Sequence, residues 1–197
     1  MTSAPSTDRH LRVAVLGCGN VGAALVGILQ SRAGALAVQG LTSVVAGEAR
    51  AVQLFDSWAG ALTRDEYRRF ALPATERVLA GIADLGVPTI LFGVGTGELL
   101  DLMSSAGSSV VGIDWHVDLD EGRRRVGDRA VQGNLDPARC LGGVDLAVQG
   151  AREVLARAGR DAGHIFNLGH GVLPSTDPAT LEAVVRVVHD EGRAGVR

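Results

Sequence analysis

The chain has 197 residues, of which 46% are hydrophobic and 21% charged, and its net charge is −3. This composition is typical of one globular domain with a substantial core, and it excludes the basic surface that nucleic-acid binding requires. The apolar runs are too short to span a membrane, and Cys18 and Cys140 have neither metal-ligand spacing nor a disulfide framework. We therefore expect a cytoplasmic protein without nucleic-acid or membrane partners.

The first predicted unit is a strand, a glycine turn and a helix over residues 11–45, after a disordered leader at 1–10. RVAVL is a valine-rich run, and Gly17, Gly19 and Gly22 follow it at the spacing that lets a pyrophosphate approach a helix N-terminus. RVAVLGCGNVGAALV resembles the start of homoserine dehydrogenases, which implies an NAD(P)-dependent oxidoreductase with NADP as cofactor. The acidic residue expected about 20 positions later is absent between Asp8 and Glu48, so a structural βα unit is favoured over a working nucleotide site.

Strands and helices then alternate regularly, after a short strand predicted near 41–45. Thr63 and Glu66 form a capping box, Pro73 predicts a kink or break, and Asp177 followed by Pro178 predicts a helix start. Such alternation predicts a parallel sheet, either a doubly wound open sheet or a (β/α)₈ barrel. The predicted strands are 51–55, 87–92, 109–114, 129–133 and 164–168, and the predicted helices are 63–85, 97–106, 118–126, 145–158 and 177–191.

Polar and glycine residues lie at the carboxyl ends of the predicted strands or just after them, where the functional residues of parallel α/β proteins collect. They are Asp56, Ser57, Gly93, Gly95, Thr96, Asp114, Trp115, His116, Asn134, Asp136, Asn167 and His170. Singly, most could be turn residues or solvated side chains. His170, between Gly169 and Gly171, is harder to explain structurally because flanking glycines let a ligand approach closely. Together these hydroxyl, amide and imidazole groups favour a ligand that carries carboxylates.

At these positions the sequence resembles the carboxyl-terminal part of uroporphyrinogen decarboxylases, over about residues 46–192. The motifs are AVQLFDSWAG, VVGIDW, AVQGNLDP and HIFNLGHGVLPSTDP. The resemblance implies a carboxy-lyase built on a (β/α)₈ barrel, normally a homodimer. Its family removes carbon dioxide from the four acetate side chains of uroporphyrinogen, giving coproporphyrinogen in haem biosynthesis. The implied architecture is a partial barrel over 46–197, with the Rossmann-like unit replacing the first part.

The same resemblance implies which residues form the site. Ser57 matches the serine that contacts substrate, and His170 matches the active-site histidine, so these two are the candidate catalytic residues. Gly93, Gly95, Asp114 and Asn134 complete the candidate substrate-binding set because of their positions at the strand ends, and no family motif assigns them a role. The family uses no metal or organic cofactor, because a protonated pyrrole of the substrate accepts the electrons. The turn at 92–95 also lacks the zinc ligands found in related cobalamin-linked methyltransferases.

Several family motifs have no counterpart in this sequence. They are an arginine-bearing segment that grips propionates, an aspartate that binds the pyrrole N–H groups and a mid-chain tyrosine; Tyr67 does not match it. The carboxylate that would face the cationic intermediate is therefore missing. We expect the chain alone to have little decarboxylase activity. A third alternative is a truncated or fused protein that binds tetrapyrroles without catalysis.

Overall fold

The computed structural model describes residues 13–17, 49–160 and 163–192. The predicted leader, Gly19, Gly22, the helix after them and the strand near 41–45 lie outside these residues. The strands are β1 (Val13–Gly17), β2 (Ala51–Asp56), β3 (Thr89–Gly93), β4 (Val110–Gly112), β5 (Ala130–Leu135) and β6 (His164–Leu168). The helices are α1 (Arg64–Glu66, Tyr67–Ala71 and Leu72–Gly81), α2 (Leu100–Ser105), α3 (Leu119–Val126), α4 (Val144–Ala158) and α5 (Pro178–Glu191).

The strands of the described residues form one sheet in which every neighbouring pair is parallel, as predicted. Their order is β1-β2-β3-β4-β5-β6, the same as their order in the sequence. A doubly wound sheet instead reverses its strand order at a switch point. Val13 lies opposite Ala51 in the register of β1 and β2, so the first predicted strand belongs to the same sheet as the strands that follow it.

The helix ends follow the capping signals of the sequence. The Thr63 hydroxyl accepts a hydrogen bond from the backbone of Glu66, whose carboxylate accepts one from the backbone of Thr63, so the predicted capping box is confirmed. Asp177 caps α5 by accepting a hydrogen bond from the Ala179 amide at 2.9 Å. Each cap satisfies a backbone donor that the first helical turn leaves free.

Pro73 neither breaks α1 nor ends it. The chain passes through a π-helical turn, Tyr67–Ala71, and Pro73 then stands in the first turn of Leu72–Gly81. An amide at that position is not needed for the helical hydrogen bonds, so proline is tolerated there. The predicted break therefore does not occur, and the irregularity next to Pro73 is the π-helical turn.

The core lies between one face of the sheet and the helices. Leu91, Val111 and Val131 come from three adjacent strands and are fully buried. They lie beside one another in the register, and they pack in one cluster with helical residues such as Leu100 and Ala151. Burial of this continuous apolar face is what holds the helices to the sheet.

The opposite face of the sheet is concave. Nε2 of Gln132 on β5 donates a hydrogen bond to Oε1 of Gln53 on β2 at 3.2 Å, and both side chains are buried. In a flat sheet, strands three positions apart would be separated by about 14 Å, which is too far for this contact. The sheet must therefore curl strongly around this face.

The curl can be tested with the two glutamines. Gln53→Leu or Gln132→Leu alone should cost about 1–3 kcal/mol of unfolding free energy, because each leaves a buried amide without its partner. The double variant should be less destabilised than the sum of the two, with a coupling of about 1 kcal/mol measured by urea unfolding. Strictly additive losses would show that the two side chains do not meet.

A second polar contact, in which His164 is half-buried, joins β5 and β6. Nε2 of His164 lies 2.7 Å from the Gly133 carbonyl oxygen, which can only accept, so Nε2 carries the hydrogen. Burial lowers the pKa of His164, and the charge of Arg123 acts in the same direction, against the effect of the Gly133 bond. The neutral imidazole is thus the form that the folded protein favours.

His164 should make the fold less stable in mild acid. Below about pH 6.5 the unfolded chain takes up a proton on this imidazole that the folded chain resists, so stability falls as the pH drops. Melting temperatures of the wild type should therefore decline from pH 7.5 to 5.5 more steeply than those of His164→Gln. His189→Gln, on the exposed side of α5, is the matched control, and a wild-type profile no steeper than that of His164→Gln would contradict the prediction.

Candidate functional site at the carboxyl edge of the sheet

The carboxylate of Asp114, just after β4, connects two of the loops at the carboxyl edge. It is 2% exposed. Oδ2 accepts hydrogen bonds from the backbone amide of Gly95 and from Nδ1 of His116, the latter at 3.1 Å. Oδ1 accepts the backbone amide of His116 at 3.0 Å. Asp114 therefore holds the loop after β3 against the loop after β4. Gly95 donates its amide to Asp114 from a backbone conformation with a positive φ of 67°, which glycine adopts without strain.

Asn134, at the end of β5, holds the same loop from the other side. Its side-chain amide donates to the carbonyl oxygens of Asp114 at 2.9 Å and Val117 at 2.6 Å. These two bonds use both amide hydrogens. In this structure Asn134 thus positions the β4 loop, and its expected contact with substrate remains a prediction.

The loop after β6 reaches the β4 loop through Gly169. Its backbone amide donates to the Leu135 carbonyl at 2.7 Å, and a Cβ atom at this position would lie 2.5 Å from the Trp115 amide nitrogen. Only glycine allows the two backbones to come this close. The contact places His170, the next residue, beside the β4 loop.

Trp115 lies between two histidines. Its ring centroid is 4.2 Å from that of His116 and 5.8 Å from that of His170, and the His170 contact is edge-to-face, with 86° between the ring planes. Both imidazoles are exposed. The structure therefore brings Asp114, Gly95, Asn134 and His170 together, with Trp115 and His116 as the residues that link them.

The loop after β2 stands at the same edge. Asp56 lies opposite Gly93 in the register, and a Cβ atom on Gly60 would clash with the backbone of Val94 and Gly95. Burial raises the pKa of Asp56, while backbone hydrogen bonds from Trp58 and Ala59 oppose that rise. Ser57 is half-buried there. Among the described contacts no hydrogen bond joins Ser57 to His170. The two residues follow β2 and β6, which are four strands apart in the sheet.

The glycine-rich turn begins at this edge as well. β1 ends at Gly17, which lies opposite Phe55. Gly19 and Gly22 lie outside the described residues, so the nucleotide-binding alternative is not tested. In the described ranges no group of three or more His, Cys, Asp or Glu side chains could hold a metal ion, and no helix there is long and apolar enough to cross a membrane.

Two features of this edge were not predicted. One is the pairing of Asp114 with His116, and the other is the position of Trp115 between two imidazoles. An Asp side chain that accepts a hydrogen bond from the backbone amide two residues later is a common turn motif. The spacing of Asp114 and His116 could therefore have predicted their pairing. The contact of Trp115 with His170, 55 residues later in the chain, had no local signal.

Sequence comparison identifies the protein family. The family described as uroporphyrinogen decarboxylase (URO-D) matches residues 28–191. This chain belongs to that family. A uroporphyrinogen decarboxylase from Nocardia farcinica is 58% identical over 146 residues, which are 71% of this chain and 41% of the relative. One from Thermobifida fusca is 51% identical over 164 residues, 83% of this chain and 45% of the relative.

The chain thus spans less than half the length of these decarboxylases. Among solved structures, a methyltransferase from Methanosarcina mazei superposes with a TM-score of 0.70 at 18% identity, covering 80% of this chain and 47% of that chain. At this identity the likeness shows a shared fold and no more. The predicted decarboxylase resemblance is confirmed, whereas the homoserine dehydrogenase resemblance receives no support from these comparisons.

The close approach of the β4 and β6 loops can be tested by a pair of alanine substitutions. Gly169→Ala should cost about 1–3 kcal/mol of unfolding free energy, because its Cβ would press on the backbone of Trp115. Gly171→Ala is the matched control, since a Cβ there meets nothing within 4 Å. Equal stabilities of the two variants in urea unfolding would contradict this packing.

Proposed function

We propose that the carboxyl edge of this sheet is the substrate-binding part of a uroporphyrinogen decarboxylase site. The observation that carries the proposal is the junction at Trp115, where loops from β4 and β6 hold two imidazoles at one edge. The curated relatives that share 51–58% of the aligned residues bear the name of this activity. The substrate would be uroporphyrinogen and the products coproporphyrinogen and carbon dioxide.

For this decarboxylation the protein must mainly bind and orient the substrate, because the substrate itself accepts the electrons. When an acetate loses carbon dioxide, the electron pair of the broken carbon–carbon bond passes to the protonated pyrrole, and a proton then completes the new methyl group. His170 is exposed and can donate a hydrogen bond to a carboxylate or assist that proton transfer. The Ser57 hydroxyl can donate to another carboxylate, and this part of the site calls for no metal or organic cofactor.

We further propose that the curled sheet is an arc of a (β/α)₈ barrel. Sequential parallel strands and a polar contact across the concave face support this architecture. β1 would take the place of a barrel strand at one edge of the arc, next to β2. At the other edge, Ile165 on β6 is 44% exposed, as expected of a face that further chain or a second copy covers. A homodimer and a cytoplasmic location remain predictions.

His170 and Ser57 are the residues to test first. The 197-residue chain should bind uroporphyrinogen saturably under anaerobic conditions and form coproporphyrinogen slowly, measured by chromatography after oxidation. His170→Asn should remove this turnover, and Ser57→Ala should weaken binding about three- to tenfold, since a hydrogen bond to a charged group is worth about 1.5–3 kcal/mol and Ser57 is partly solvated. His189→Asn, far along α5 from this edge, should behave as the wild type.

The alternatives give different results in the same assay. Saturable binding without any coproporphyrinogen would indicate a tetrapyrrole-binding protein without catalysis. Absence of uroporphyrinogen binding would contradict the proposed function. Saturable fluorescence changes with NADPH, together with no tetrapyrrole binding, would instead favour the oxidoreductase. Rapid turnover would contradict the expectation that the missing family motifs limit activity.

A further inference from the structure

His116 has one imidazole nitrogen engaged by the protein and one available. Nδ1 lies 3.1 Å from Oδ2 of Asp114, and because a carboxylate accepts, Nδ1 carries the hydrogen. Nε2 has no partner among the described contacts, and the side chain is 53% exposed. A carboxylate that holds one nitrogen sets the tautomer and orientation of the ring, so the free nitrogen has a fixed direction.

The surroundings of His116 connect it to the proposed site. Its ring stacks on Trp115, and the other contact of that indole is with His170. The backbone amide of His116 is also tied to Asp114 at 3.0 Å. Two imidazoles thus stand on one indole, both exposed and both at the carboxyl edge. Two neighbouring cation-forming donors match a ligand that bears several carboxylates.

We propose that His116 is a second carboxylate-binding residue of this site, acting through Nε2, with Asp114 as its positioning residue. This inference rests on the proposed function and extends it to a residue that the decarboxylase resemblance does not assign. When the imidazole is protonated, Nε2–H donates a charge-assisted hydrogen bond to a substrate carboxylate while Nδ1–H remains on Asp114. His170 and His116 then hold different carboxylates of one macrocycle.

The carboxylate contact is tested with uroporphyrin, a fluorescent probe that carries eight carboxylates. Fluorescence titration of the 197-residue chain at pH 6.5 and low salt should show about three- to tenfold weaker binding by His116→Asn than by the wild type. Asparagine can keep a donor near the Nδ1 position toward Asp114, but it has nothing at the Nε2 position. His189→Asn is the matched control and should bind as the wild type does.

The positioning role of Asp114 has a readout that loss of stability alone does not produce. In ¹⁵N spectra of the imidazoles, the neutral form of His116 should be the Nδ1–H tautomer, and Asp114→Asn should reduce that preference. The wild-type spectrum alone tests the assignment if Asp114→Asn fails to fold. A wild-type His116 in the Nε2–H tautomer would overturn the positioning role.

The outcomes separate this inference from the function on which it rests. If the wild type does not bind uroporphyrin, the proposed function and the role of His116 both fail. If the wild type binds and His170→Asn weakens binding while His116→Asn does not, the role of His116 alone is overturned. Weakening by both substitutions, with His189→Asn unchanged, supports two imidazole contacts to the ligand.

Discussion

Burying a carboxylate costs free energy unless hydrogen bonds replace the water that it loses. At the end of β4 that constraint joins two loops of the carboxyl edge. Asp114 is almost fully buried, and the replacements for water come from Gly95 in one loop and His116 in another. Satisfying one buried charge therefore fixes the relative position of the loops after β3 and β4.

The same edge depends on small residues where backbones meet. Gly60 lies against the β3 loop, and Gly169 lies against Trp115. Each glycine stands where a Cβ atom would strike backbone, which cannot move aside as a flexible side chain can. Together with the Asp114 contacts, these glycines link the loops of the carboxyl edge from β2 to β6. Ser57 and His170 stand near its two ends, so the distance between them is set by the curl of the sheet.

Much of the fold could be predicted because its signals are local. The alternation of apolar runs and helical periods gave the described strands and helices to within a few residues, and the Thr63–Glu66 box and the Asp177 cap gave two helix starts. The π-helical turn before Pro73 was missed, because a proline signals a lost hydrogen bond but not how the helix compensates.

The site was predicted less completely, because its contacts are not local. Which strand ends carry polar residues followed from the sequence, and the parallel sheet puts them at one edge. The sequence could not show that the Asn134 side-chain amide donates both its hydrogens to carbonyl groups of the β4 loop. It also could not show that Gln53 and Gln132 form a hydrogen bond across the concave face. Both contacts join residues that are distant in the chain, and only the packed strands determine them.

Burial separates the polar residues that hold loops in place from those that are available to a ligand. Asp114 and Asn134 are buried. The Asp114 carboxylate accepts three hydrogen bonds and the Asn134 amide donates two, so these residues hold loops in place. His116 and His170 are exposed and keep a nitrogen free of the described contacts, so they are suited to a ligand. The buried pair orients the exposed pair, through the Asp114–His116 bond and through the Trp115 loop that Asn134 secures. If the exposed pair binds substrate as proposed, that binding would also depend on Asp114 and Asn134, because these two residues fix the loops that carry the imidazoles.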